Sequence, residues 1–194
     1  MKYDVLIVGV GGQGTLFASR ILSSYAMAVG LNVMSTDTVG AAQRGGSVAS
    51  HVRISDGKIY SPLISRGRAD AVLGFESIEM LRHVRMMSKN TLFILNLHEV
   101  PTTFTMMGID KYPSEEEITK TATKISDRGH VIRATETSRE LGFPQAANVV
   151  MIGAFTRVEP FFSREGVREQ VGLVAPEFEV ANLAAFDAGY DLIH

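Results

Sequence analysis

The sequence predicts an α/β fold: three layers, α/β/α, around a Rossmann-like, mostly parallel sheet that includes one antiparallel hairpin. Three observations carry this. The chain opens on a short, nearly continuous apolar run, Tyr3 to Val8, of the kind a strand buried on both faces uses. That run breaks into Gly9-Val10-Gly11-Gly12-Gln13-Gly14 and passes straight into a stretch with helical period. Farther on, Ser55-Asp56-Gly57 separates two strand-like runs, and an Asp-Gly pair in that position signals a hairpin.

Taken in order, the first helix places Phe17, Ala18, Ile21, Leu22, Tyr25 and Val29 on one face and Arg20, Ser23 and Ser24 on the other. Gly30 follows where a left-handed cap is expected. Residues 31–36 read as the second strand, which completes a βαβ unit whose crossover should be right-handed. Residues 38–47 hold three glycines without helical period and read as a loop. Residues 48–54 and 58–61 are the two arms expected on either side of the Asp-Gly turn. Buried strands are expected over 70–75 and 91–96, with a helix over 78–87 between them. Ser114 with Glu117 has the spacing of a capping box and should open a helix that runs to Ile125. Residues 130–133 suit a last strand, and 148–156, 164–171 and 177–188 read as terminal helices.

Length and composition bound the rest. The chain has 194 residues, no internal repeat and no linker-like segment, so one domain over 1–194 is expected. Nineteen Lys and Arg against 21 Asp and Glu give little reason to expect a nucleic-acid groove or an anionic membrane surface. No stretch reaches the roughly 18 uninterrupted apolar residues of a membrane span, and the start lacks a signal-peptide layout, so the expected compartment is the cytoplasm. There is no cysteine at all, which excludes disulfides, a thiolate nucleophile and any cluster held by thiolates of this chain. The five histidines are scattered without metal-ligand spacing, so no metal site is expected, and no catalytic Ser-His-Asp set stands out.

Two constellations remain. Gly9, Gly11 and Gly14 follow a strand and open a helix, the context in which glycines let a phosphate or another backbone approach helix-terminal N–H groups. Asp37 lies 23 residues beyond Gly14, about where a ribose-binding acid would sit. One reading is therefore a free-standing dinucleotide-binding enzyme or sensor that uses Gly9–Gly14 and Asp37. The other is that the glycines serve packing and Asp37 caps a loop. Gln13 is expected to project its amide at the mouth of the turn, toward a ligand or partner. In the second constellation, Gln43-Arg44-Gly45-Gly46-Ser47, an Arg between small residues suits a clamp for an anion, although a solvated surface turn has the same composition. Both loops follow strands read as adjacent, so they should meet at the carboxyl edge of one sheet. Of the weaker candidates, His98 and Glu99 at the end of a strand could face that crevice, while Met106 and Met107 suit core filler or an adaptable surface.

At GVGGQG (9–14), AQRGGSVASHVRI (42–54), YSPLI (60–64) and AANVVMIGAF (146–155) the chain resembles the gamma-type chain of 2-oxoacid:ferredoxin oxidoreductases. Within that family it is most similar to the small subunit of the indolepyruvate type. Phe75-Glu76 and the run from Asn182 to Phe186 extend the resemblance nearly end to end. One position departs, since Val39 stands where many members of the indolepyruvate type carry histidine. The resemblance implies a noncatalytic subunit that binds no cofactor alone. Thiamine diphosphate, iron–sulfur clusters and coenzyme A would belong to the complex, and ferredoxin would be reached through catalytic large subunits. It implies that Gly9, Gly11, Gly12, Gln13 and Gly14, with Gln43, Arg44, Gly45, Gly46 and Ser47, form loops that meet the partner or a ligand. The isolated chain could then pair with itself through the face left bare.

Overall fold

A computed structural model describes residues 1–40 and 45–193. Strand β1 (Lys2–Val10) leads to α1 (Thr15–Ala28), β2 (Asn32–Val39), β3 (Ser47–Ser55), β4 (Ala71–Gly74) and α2 (Ser77–Arg82). Then come β5 (Leu92–Asn96), the short α3 (Thr103–Met106), α4 (Glu115–Thr123), β6 (Gly129–Ile132) and α5 (Ala134–Glu140). Helices α6 (Ala147–Val158), α7 (Arg164–Val174) and α8 (Glu179–Asp191) complete the order. The capping box forms as expected, with Glu117 N–H on the Ser114 hydroxyl and Ser114 N–H on the Glu117 carboxylate. Gly30, at φ 81°, takes the left-handed turn after α1.

The six strands make one sheet in the order β2-β3-β1-β4-β5-β6. The pairs β1–β4, β4–β5 and β5–β6 are parallel, while β3 runs antiparallel to both β1 and β2. Along β1, Val5 and Ile7 face a core shared with α1, α6, α7 and α8, and Leu6 and Val8 face a second core under α2 and α4. This alternation, with both faces covered, explains why β1 carries no polar residue between Val5 and Val10. Among the described residues no helix is long and apolar enough to cross a membrane.

Two expectations about connectivity are corrected. Strands β1 and β2 are not neighbours, because β3 lies between them and pairs with β1 along its full length, from Lys2↔Ser55 to Val10↔Ser47. The antiparallel hairpin is β2–β3, closed by the Gly40 N–H on the Ser47 carbonyl (2.7 Å), and not the pair around Ser55-Asp56-Gly57. With both edges of β3 occupied, residues 58–61 have no strand to join. Side chains hold that stretch instead: the Arg53 guanidinium, paired with buried Asp4 at 3.0 Å, donates to the Ser61 carbonyl, and His51 Nδ1 accepts the Ile64 N–H. Helix α5 was not expected, because its sequence ATETSRE buries only Ala134 and Ser138 and so shows no apolar stripe.

The His51 contact has a consequence for pH dependence. Burial, with His83 nearby, holds the His51 imidazole below its ordinary value, and protonation would remove the acceptor for Ile64 N–H. The unfolded chain therefore takes up the proton first as pH falls. The stabilisation is full above about pH 6.5 and is lost as pH drops toward the depressed folded value. His98, also held low by burial, adds a slope of the same sign. His51→Asn, whose Oδ1 can replace Nδ1, should flatten the fall of urea midpoint between pH 7 and 5 without abolishing it. An unchanged slope would exclude His51 as its source.

Candidate functional site

The carboxyl ends of β1, β4, β5 and β6 form one edge, and the glycine turn sits on it. Gly14, at φ 76°, is the N-cap of α1 without a capping side chain, and Gly12 takes φ 95°. The turn is fastened from within. Gln13 Oε1 accepts the Val10 N–H at 2.9 Å, and its amide nitrogen donates to the Phe75 carbonyl at 3.4 Å. The Gln13 amide thus ties the turn to the end of β4, although the residue also lines the adjoining cavity.

Each glycine of the turn has a different reason. A Cβ at Gly9 would lie 2.7 Å from Gln13 Oε1, and one at Gly14 would lie 2.1 Å from Asn148 Nδ2. These two are required by the chain's own packing. Gly12 is required by its positive φ, yet among the described residues nothing comes within 4 Å of where its Cβ would stand. At Gly11, which has no positive φ, a Cβ would meet, among the described residues, only the Gly46 carbonyl, at 3.9 Å. Gly11 and Gly12 are both exposed.

The second loop reaches the first, since the Gly11 N–H donates to the Gly46 carbonyl at 2.9 Å. Gly45 takes φ 65°, and Ser47 donates its hydroxyl to buried Glu79. The meeting of the two loops at one edge is therefore as the sequence implied, reached through β3 rather than through adjacent parallel strands. Gln43 and Arg44 lie outside the described residues.

Beside the turn is a cavity of about 130 Å³ whose lining includes Gln13, Asn96, His98, Thr135, Gln145 and Asn148. Asn96, buried at the end of β5, donates to the Phe75 carbonyl (3.1 Å) and the Thr135 hydroxyl (2.9 Å), which fixes the first turn of α5. Asn148, in the first turn of α6, donates to the Gly14 carbonyl at 3.4 Å. His98 is held neutral-leaning by burial and by Arg139. Among the described residues the lining contains no carboxylate, lysine or arginine. It offers amides, a hydroxyl and an imidazole, donors and acceptors for a polar group rather than a nucleophile with its base. Two further recesses adjoin it, of about 340 and 400 Å³, and Phe17 and Arg20 line both.

Asp37 does not reach this site. It lies on β2 opposite Ser50, whose hydroxyl it accepts at 2.5 Å, and Ser50 is in turn opposite Ile7 of β1. With β3 interposed, Asp37 is two strand spacings, roughly 10 Å, to the side of β1. A dinucleotide crevice sets the acid-bearing strand directly beside the glycine strand. Among the described residues no three His, Asp or Glu side chains gather as a metal site.

Asn96, Thr135, Gln145 and Asn148 were not assigned to a site from the sequence. Thr135 gives no signal in sequence, because α5 shows no apolar stripe. Asn148 lay within a resembling segment, and His98 was singled out only for its place at a strand end.

Comparison with known proteins adds the following. The family model described as "Pyruvate ferredoxin/flavodoxin oxidoreductase" matches residues 4–192. The indolepyruvate oxidoreductase subunit IorB of Archaeoglobus fulgidus is 38% identical over 193 residues, covering 98% of this chain and 95% of its own length. Among solved structures, the gamma subunit of keto/oxoacid ferredoxin oxidoreductase from Geobacter sulfurreducens is similar with a TM-score of 0.70 at 21% identity, over 97% of this chain and 96% of that one. The 2-oxoglutarate:ferredoxin oxidoreductase of Magnetococcus marinus, a structure with 2-oxoglutarate, coenzyme A and succinyl-CoA bound, gives a TM-score of 0.77 at 20% identity. There the match takes in 98% of this chain but 31% of the longer one.

Proposed function

The chain belongs to the pyruvate ferredoxin/flavodoxin oxidoreductase family as a small subunit of a 2-oxoacid:ferredoxin oxidoreductase, and from this we propose that it acts by contact, through the two glycine loops. The reaction proposed for the complex is oxidative decarboxylation of a 2-oxoacid, with indolepyruvate as the proposed substrate, to its acyl-CoA, with ferredoxin accepting the electrons. The proposed partner is a catalytic large subunit, in the cytoplasm, and the chain alone is inactive.

The cofactors are proposed to sit on that partner, a reading the side-chain chemistry here supports. An iron–sulfur cluster needs thiolates and the chain has no cysteine. The cation that accompanies thiamine diphosphate is held by one or two carboxylates, and among the described residues the cavity lining has none. The phosphates of coenzyme A need cationic partners; among the described residues the cavity lining has no Lys or Arg, while Arg20 borders both neighbouring recesses.

What carries the reading is the contrast within the turn. Gly9 and Gly14 are explained by packing inside the chain, whereas Gly11 is exposed and uncrowded among the described residues. A glycine that no described residue requires, at the edge where open α/β sheets build their crevices, leaves room for a close approach from outside. Arg44, which precedes Gly45 and Gly46 of the second loop in sequence, is proposed to pair with a carboxylate of the partner or an anionic substrate group.

The test is co-expression with the large subunit. Gly11→Leu should leave the isolated chain within about 0.5 kcal/mol of wild type, as surface substitutions do, and should still abolish co-purification and 2-oxoacid-dependent ferredoxin reduction. Arg44→Ala should weaken assembly or raise the KM for oxoacid or coenzyme A. If both variants assemble and reduce ferredoxin like wild type, the site assignment fails. Saturable binding of NAD(H), NADP(H) or FAD by the isolated chain, lost in Asp37→Ala, would overturn the reading altogether.

A further inference from the structure

The segment from Val100 to Tyr112 leaves the same sheet edge after β5 and His98 and returns before α4. Both of its ends fasten on one atom. The Val100 N–H donates to Glu76 Oε1 at 3.3 Å, and the Tyr112 hydroxyl donates to the same oxygen. Glu76 is 1% exposed and caps α2, its other oxygen accepting the Glu79 N–H at 2.7 Å. Among the described residues, the remaining hydrogen bonds of 100–112 stay inside the segment, apart from a 3.5 Å contact of the Tyr112 hydroxyl with the His98 carbonyl. A loop closed at its base in this way is an Ω-loop held by a buried carboxylate.

Its tip is the opposite of its base. Met106, Met107 and Ile109 are 71%, 67% and 69% exposed, grouped within four residues around Gly108, which turns the chain at φ 70°. Residues 100–109 carry no charge. Exposed apolar residues scattered singly need no explanation, but three together on a projecting, anchored loop do. Methionine side chains also adapt to irregular apolar surfaces.

We infer that the loop 100–112 is a docking element, anchored by Glu76, whose apolar tip of Met106, Met107 and Ile109 enters an apolar recess of the large subunit. The inference rests on the reading of this chain as a subunit and names a second surface for that contact. Three features select the occupant. The loop carries one acid and one base, Asp110 and Lys111, and no basic cluster of the kind that holds the phosphates of lipid or nucleic acid. Three side chains fall short of the roughly 800 Å² per partner that a stable dimer of copies would bury. The base of the loop, on Glu76 and His98, stands at the carboxyl edge that also bears Gly11, so a single large partner can cover both, and the same fold forms only 31% of the longer Magnetococcus marinus chain.

The experiment is titration of the large subunit with the wild-type chain and with Met106→Ser/Met107→Ser/Ile109→Ser, alongside sedimentation and thermal melting of each isolated chain. The expected result is unchanged melting and on the order of tenfold weaker assembly for the triple variant. Ile109→Asp, which puts a charge at the tip, should act in the same direction. Wild-type chain that fails to bind the large subunit would remove the subunit reading and this inference with it. Wild type that binds, with both variants binding equally well, would overturn this inference alone. So would variants that abolish self-association of the isolated chain while leaving assembly intact, since the occupant would then be a second copy.

Discussion

Gly153→Ala is expected to cost about 3 kcal/mol of stability, although alanine is the better helix former. Gly153 lies in α6 where α8 crosses it, and a Cβ there would stand 2.1 Å from the Phe186 carbonyl oxygen and 2.8 Å from the Tyr190 nitrogen. The contact is reciprocal, because a Cβ at Gly189 of α8 would stand 2.0 Å from the Val150 carbonyl. These are backbone atoms, so no rotamer change makes room and the helices must separate. At this chain length the melting temperature should fall by ~6–12 °C. Gly172→Ala is the control. Its Cβ would meet only the Glu179 side chain, at 3.2 Å, which can move, and the helix propensity gained in α7 should make the change neutral or stabilising by ~0.5–1 kcal/mol. Equal melting shifts for the two variants would show that α6 and α8 are not in backbone contact.

The second large effect is at the site. Gly14→Ala combines a positive φ, worth about 1–2 kcal/mol in strain, with a Cβ 2.1 Å from Asn148 Nδ2. A total of about 3 kcal/mol is expected, with loss of assembly as the turn shifts against α6. Removing the obstructing group separates the two contributions. In an Asn148→Ala background the nearest remaining atom is Asn148 Cβ at 3.3 Å, so Gly14→Ala should then cost only the backbone strain. The double-mutant cycle should show about 1–2 kcal/mol of coupling by urea denaturation. Additive effects would mean that Gly14 is a glycine for its φ alone, and that the 14–148 contact does not hold the cavity in shape.

These two glycine positions also show what could be read in advance. The motif Gly9-x-Gly11-x-x-Gly14 was visible, but which glycine serves packing and which faces outward was not, since that depends on Asn148 and Phe75, 134 and 61 residues farther along. Gly153 and Gly189 carry no local signal at all, as each sits inside a helix where only the crossing partner explains it. Asp37 was read as a candidate from its spacing, and spacing along the chain could not reveal that β3 would enter between its strand and β1.

The sequence by itself determined the α/β class, the buried strands, the capping box and the turn at Gly30. Each of these follows from periodicity or from a φ requirement carried by neighbouring residues. It also determined that no cysteine-held cluster can sit on this chain, because composition admits no exception. Only the tertiary structure decided the strand order, the hairpin partner, the cavity of Asn96, Thr135 and Asn148, and the clasp of Val100 and Tyr112 on Glu76. All of these join residues distant in sequence, and a strand's hydrogen-bonding edge does not record in its own side chains which neighbour will take it. Pairing is a competition among all strands at once, and β3 took the place beside β1 by matching it over nine residues.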